Sequence, residues 1–300
     1  MSHAEDAEPA RYARAFVIGI ALHIAYVAAE AAFGLFAGSL ALLADAGHNA
    51  GDVLSLALAG GAAMLSRRRP SGRFTYGLRG STILAALANA ILLLLVTGGI
   101  AWEAVIRLLS PAAVNSVLIV AVAAVGILVN GATALLFAKG RKRDLNLKSA
   151  FLHMAADALV TFGVAAAGLV IWFTRWFWVD PAASLLVSLV IVVGTWGLLR
   201  SAFGLALHAV PEGVDAEAVR AFLAELPGVS AVHDLHIWGM STTETALTCH
   251  LVMPGGHPGD ALLRRAAEAL HERFGIAHAT LQIEIADTAE TCKLTPEHVV

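Results

Sequence analysis

Apolar residues in this chain fall into long unbroken stretches rather than the short periodic stripes of a water-soluble fold. Stretches long enough to cross a bilayer, about 20 residues each at helical rise, run at 12–34, 38–65, 81–108, 114–138, 148–174 and 179–206. The pattern predicts an α-helical membrane protein with six transmembrane helices. Past His208 the long runs stop and shorter patterns take over. These predict a helix over 215–226, a turn at Pro227 and Gly228, strands over 229–238 and 245–253, a helix over 260–274 and a strand over 279–285. The order α-β-β-α-β fits helices layered on one face of a small sheet. Residues 1–208 are therefore expected in the membrane and residues 209–300 outside it.

Composition agrees with the pattern. Of the 300 residues 58% are apolar and 14% charged, with a mean hydropathy of +0.73, which excludes an ordinary soluble globule. A net charge of −3 leaves no bulk positive field for nucleic acid. The placement of charge says more. Arg11 and Arg14 precede the first span, Arg67, Arg68, Arg69 and Arg73 separate the second and third, Lys139, Arg141, Lys142 and Arg143 separate the fourth and fifth, and Arg200 lies near the end of the sixth. By the positive-inside rule both termini are cytoplasmic, and Trp172, Trp176 and Trp178 mark an opposite interface. The polar, acidic first 14 residues lack the basic region of a cleavable signal, so the first span reads as retained. Cys249 and Cys292 have no C-x-x-C spacing and read as reduced cytosolic thiols.

Ionisable residues inside spans are costly and usually mark a pathway. The second span holds Asp45, His48 and Asp52, and the fifth holds His153 and Asp157. Both contain H-x-x-x-D, a spacing that stacks imidazole and carboxylate one turn apart on a single helix face. If the two helices face each other, His48, Asp52, His153 and Asp157 make a tetrahedral N₂O₂ set suited to Zn²⁺. Mg²⁺ and Ca²⁺ prefer all-oxygen shells. Asp45, one turn before His48, reads as an acceptor orienting that imidazole or as a spare ligand. His23 and Glu30, seven residues apart on the first span, read either as a proton relay or as an interhelical hydrogen-bonding pair.

Charge then suggests a mechanism. Two ionised aspartates with neutral histidines leave two negative charges in a low-dielectric region, and either one Zn²⁺ or protons can neutralise them. Metal and protons compete for the same ligands. A site opening alternately to each side would exchange them, carrying metal out of the cytoplasm against protons. Two other classes compete with transport. An intramembrane zinc enzyme needs an open coordination position and a base, and no H-E-x-x-H is present. A membrane metal sensor without transport would need an output segment, and no kinase, cyclase or DNA-binding segment accompanies the spans. No enzyme activity and no organic cofactor are expected.

Eight of the twelve histidines lie from His208 onward, which makes the C-terminal part a candidate metal sensor. Strand parity places His233 and His236, three apart, on opposite faces, so one cluster using both requires a bend.

The stretches "SLALLADAGHNAGDVLSL", "YGLRGSTILAALANAILLL", "DLNLKSAFLHMAADAL", "DPAASLLVS", "VHDLHIW" and "LQIE" resemble, in order, the motifs of the cation diffusion facilitator family, particularly its bacterial zinc-exporting branch. The resemblance implies a homodimer in the cell's inner membrane, six helices per protomer, a ferredoxin-like cytoplasmic domain and metal/proton antiport. It places the transported ion on His48, Asp52, His153 and Asp157. It also implies cytoplasmic zinc ligands at His233, His250 and Glu284, with His236 and His278 as members of a second cluster. There are departures. Members commonly carry a basic residue and, two positions on, a Glu after the Tyr-Gly of the third span, whereas here Arg79 is followed by Gly80, Ser81 and Thr82. The loop from Ser66 to Arg79 and the basic segment 139–149 both lack histidine, so no metal is expected in either.

Overall fold

A computed structural model describes residues 23–138 and 145–285. Its helices are α1 (His23–Ala37), α2 (Leu40–Ser66), α3 (Ser81–Leu109), α4 (Ser116–Ala138), α5 (Leu145–Thr174), α6 (Val179–Ala206), α7 (Ala216–Ala224) and α8 (Asp260–Phe274). Its strands are β1 (Ala231–Gly239), β2 (Thr245–Val252) and β3 (Ile276–Glu284). Among the described residues four helices, α3, α4, α5 and α6, are long and apolar enough to cross a membrane. Of the other two expected spans, α2 is long but diluted by Asp45, His48, Asn49 and Asp52. The described part of the first, α1, is short, and its start at 12–22 lies outside the described residues. The chain divides into two compact units, one of Met1–Leu58 with Asn89–Trp196, the other of Ala59–Ala88 with Gly197–Val300.

In the first unit the packed interior is aliphatic and small, with Leu42, Ile119, Ala123, Val164 and Ile171 buried together. Large apolar side chains such as Trp102, Leu128, Phe173 and Val193 point outward, as expected where the solvent is lipid. Glycine lets the helices close on one another. A Cβ on Gly168 of α5 would come 2.8 Å from Ile119 of α4, and one on Gly126 would fall on the Tyr26 ring. Small residues at such crossings permit the close backbone approach that membrane helix packing relies on.

The start of α2 is held by a residue far away in sequence. Ser39 Oγ and the Leu40 amide both donate to the Asp180 carboxylate, the latter at 2.7 Å, while Ser39 Oγ accepts from the Leu42 amide at 3.2 Å. Arg107 Nη1 donates to the Gly38 carbonyl at 2.6 Å. The α1–α2 turn is thus tied to α3 and α6 through groups a helix N-terminus leaves unsatisfied.

The second unit contains the C-terminal sheet. Asp215 caps α7 by accepting from the Glu217 and Ala218 amides. Gly275, at φ +70, ends α8 in the left-handed conformation. Strand β3 begins immediately after it, three residues earlier than the sequence pattern suggests. The sheet order is β1-β2-β3, with β1 antiparallel and β3 parallel to β2. Val219 and Leu223 of α7, Leu270 of α8, and Leu247, Cys249 and Leu251 of β2 form its core.

The departed motif also has a place here. Arg79 Nη1 lies 2.6 Å from Glu244 Oε2, and Thr82 Oγ1 accepts from the Thr242 amide at 3.0 Å. Both bonds run to the turn between β1 and β2.

Replacing Asp180 by Ala leaves the Leu40 amide and the Ser39 hydroxyl without their buried acceptor. It should destabilise the protein by about 2–3 kcal/mol, with Asp180→Asn losing less, as read from thermal unfolding of the purified protein in detergent. Equal stability of Asp180→Ala and wild type would remove the cap from this account.

Candidate metal centre

The i, i+4 spacing on α2 and α5 does bring the two H-x-x-x-D pairs together. His48 Nε2 lies 3.4 Å from Asp157 Oδ1 and 3.9 Å from Asp52 Oδ2, and His153 Nε2 lies 3.2 Å from Asp52 Oδ2 and 3.8 Å from Asp157 Oδ2. Each imidazole therefore faces both carboxylates. A tetrahedral ion with bonds of about 2.0–2.1 Å has ligand–ligand edges of about 3.3–3.4 Å, so these separations are near what one Zn²⁺ requires. One atom each from His48, Asp52 and Asp157 lies within 4.8 Å of the others, a group that does not include His153. His153 is the most exposed of the four at 46%, and Asp157 the least at 2%. Oδ2 of Asp52 and of Asp157 has no hydrogen-bond partner of good geometry among the described residues, which leaves lone pairs for a cation.

Behind this set lies a buried polar network that the sequence reading only partly anticipates. Glu30 is fully buried and accepts from Tyr26 Oη at 2.6 Å and from Asn49 Nδ2 at 3.1 Å. Asn49 follows His48 on α2, so Glu30 ties α1 to the helix carrying two of the candidate ligands. Asp45 is fully buried near Glu30, Thr161 and His48, but neither its carboxylate oxygens nor His48 Nδ1 has a hydrogen-bond partner of good geometry among the described residues, so no bond from Asp45 orients that imidazole here. His23, 8% exposed, is an electrostatic neighbour of Asp157 and Asp52. No hydrogen bond joins His23 to Glu30 among the described residues. Tyr26 and Asn49 belong to no ligand motif, and their only signal in the sequence is position, Tyr26 one turn before Glu30 and Asn49 beside His48.

A second cluster forms on the sheet. His233 Nε2 and His250 Nδ1 each lie 2.9 Å from a different oxygen of Glu284, and the two rings meet edge to face at 5.0 Å. His233 and His250 are paired across β1 and β2, while Glu284 ends β3 opposite Val252. Two imidazoles and a carboxylate at these distances suit zinc. The bend that strand parity demands is present: β1 carries a bulge between His233 and His236, and His236 Nε2 lies 2.8 Å from Asp234 Oδ1. His278 stands apart from the cluster, packed edge-on against Tyr76 at 5.9 Å. Cys249 is buried and has no disulfide partner among the described residues; Cys292 lies outside them.

Residues 16–205 match the cation efflux transmembrane domain, and residues 211–286 match the cation efflux protein cytoplasmic domain. The chain belongs to the cation efflux family. It is 35% identical over 285 residues to the cation efflux system protein CzcD of Alcaligenes sp. (strain CT14), covering 95% of this chain and 90% of that protein. It is 36% identical over 274 residues to the zinc transporter ZitB of Escherichia coli (strain K12), covering 91% and 87%. It is 31% identical over 278 residues to a cadmium, cobalt and zinc/H(+)-K(+) antiporter of Bacillus velezensis, covering 91% and 88%. Among solved structures, the metal-bound C-terminal domain of a CzcD transporter is 35% identical, covering 24% of this chain and 99% of its own length, with a TM-score of 0.23. The protein is thus a metal cation efflux transporter of the membrane and not an enzyme. The transmembrane match contains the His48, Asp52, His153 and Asp157 set, and the cytoplasmic match contains the sheet cluster.

Burial inside the cytoplasmic domain pushes the Cys249 thiol up to about 12. At neutral pH this leaves on the order of a thousandth of the ordinary thiolate population. In a Cys292→Ser background, maleimide should therefore label Cys249 only after denaturation. Rapid labelling of the native protein would show that this core is open.

Proposed function

We propose that the protein exports zinc from the cytoplasm in exchange for protons, binding the ion between α2 and α5 through His48, Asp52, His153 and Asp157. The observation that carries this reading is the meeting of the two H-x-x-x-D faces at separations close to the edges of one zinc tetrahedron. The zinc and antiport named for ZitB and for the Bacillus relative support it. When the ion leaves, protons on the carboxylates and imidazoles neutralise the set, because these groups cannot hold metal and proton at once. Imidazole nitrogen sets the preference for zinc over oxygen-seeking ions.

The same reading places six spans and both termini on the cytoplasmic side of the inner membrane, with α1 and α2 as the first two spans. The membrane part is 1–208 and the cytoplasmic part 209–300. The cytoplasmic order α7-β1-β2-α8-β3 is that of a ferredoxin-like β-α-β-β-α-β unit lacking its first strand. The protein works as a homodimer, and zinc on His233, His250 and Glu284 favours the arrangement in which those ligands converge. Such an ion biases transport only by its difference in affinity between arrangements.

Each of His48→Ala, Asp52→Ala, His153→Ala and Asp157→Ala should abolish zinc flux into proteoliposomes under an imposed pH gradient while the protein still folds and inserts. Near-normal flux in two of the four sinks the assignment. Replacing His48 and His153 together by Asp converts the set to all oxygen and should relax discrimination among divalent metals. An unchanged metal profile in that competition assay would mean that imidazole does not set selectivity.

A further inference from the structure

Between the two histidines of β1, the backbone does something a regular strand does not. His233 pairs with His250 and His236 with Thr248, so Asp234 and Leu235 together stand opposite a single residue of β2. Asp234 takes φ +51, in the left-handed region that Asp and Asn tolerate better than other side chains. Sparsely populated backbone states persist where the surroundings hold them, often at sites with a task. The consequence of the bulge is directional. It sets the Asp234 carboxylate on the histidine side of the sheet, with Oδ2 3.4 Å from His250 Nε2 and Oδ1 2.8 Å from His236 Nε2.

His250 therefore stands between two carboxylates, Asp234 at Nε2 and Glu284 at Nδ1. The two ends are not equivalent. Glu284 is shared with His233, whose Nε2 lies 2.9 Å from its other oxygen, so only the Nδ1 end faces the point where three ligand atoms meet. A ligating imidazole offers one nitrogen to the metal and keeps its proton on the other, and an ionised carboxylate can only accept. Carboxylates placed behind metal-binding histidines fix tautomer and ring orientation and raise the basicity of the ligating nitrogen.

We propose that Asp234 is a positioning residue of the cytoplasmic metal site, accepting the Nε2–H of His250 so that Nδ1 is presented to the ion beside His233 and Glu284. This rests on the reading of those three residues as zinc ligands. The bulge is then part of the site, since without the extra residue Asp234 would not share the face of His233 and His250. The short contact to His236 Nε2 anchors the other oxygen of the same carboxylate.

The test uses the full-length protein in detergent, labelled with ¹⁵N histidine and titrated with zinc, with His250 assigned through a His250→Gln variant. Asp234→Gly removes the carboxylate while tolerating the positive φ, and Asp234→Asn keeps both the φ tolerance and one acceptor oxygen. In zinc-loaded wild type, His250 should carry its proton on Nε2 with Nδ1 coordinated. The Gly variant should need about 10–100-fold more free zinc to reach half occupancy at His250 and lose the fixed tautomer, with Asn falling between. Wild-type occupancy and tautomer in the Gly variant overturn the proposal; because both variants keep the tolerance for positive φ, an equal loss in Gly and Asn assigns the effect to the charge of the carboxylate and supports it. Zinc that never reaches His250 in wild type overturns instead the ligand assignment on which the proposal rests.

Discussion

Two carboxylates among apolar helices govern the rest of the transmembrane unit. The ion-pair partners of Asp52 and Asp157 among the described residues are the imidazoles His48 and His153, with no lysine or arginine beside them. Removing an ionised carboxylate from water without a full counter-charge is strongly unfavourable, so the set is stable only when a cation or protons complete it. A permanent salt bridge to Arg would have satisfied the same groups and closed the site for good. Imidazole, neutral or charged near physiological pH, leaves the charge balance adjustable, which is what a carrier that must both bind and release requires.

The frame around these groups is correspondingly firm. Asn49 and Tyr26 hold Glu30 and tie α1 to α2 beside His48. Asp180 and Arg107 lock the α1–α2 turn to α6 and α3. Gly126 and Gly168 let Tyr26 and α4 approach where any side chain would collide. The polar residues of α2 lower its hydropathy, which is why it falls outside the four plainly apolar helices although it is of similar length. In the second unit, Arg79 and Thr82 engage the β1–β2 turn, so the loss of the usual Glu after the Tyr-Gly leaves this segment bonded in another way.

Much of this is legible in the sequence because helix periodicity is local. His48 with Asp52 and His153 with Asp157 can be stacked from spacing alone, and α8 begins and ends where its pattern and Gly275 say it should. What could not be read is long-range or depends on a break in the period. Nothing near Asp180 in sequence announces that it accepts from Leu40, 140 residues away. Glu30 could be paired with His23 by spacing, yet the structure gives it Tyr26 and Asn49. Strand parity separates His233 from His236, and a single inserted residue at Asp234 undoes that parity, because a period of two reverses with every bulge.

The central claim is that one zinc ion is held between α2 and α5 by two imidazoles and two carboxylates. X-ray absorption on zinc-loaded full-length protein, with His233, His250 and Glu284 replaced by Ala to silence the cytoplasmic cluster, measures that shell directly. The account predicts one ion per chain with four nitrogen and oxygen neighbours at about 2.0–2.1 Å, two of them showing imidazole scattering. A sulfur neighbour, an all-oxygen shell or no bound zinc would contradict it.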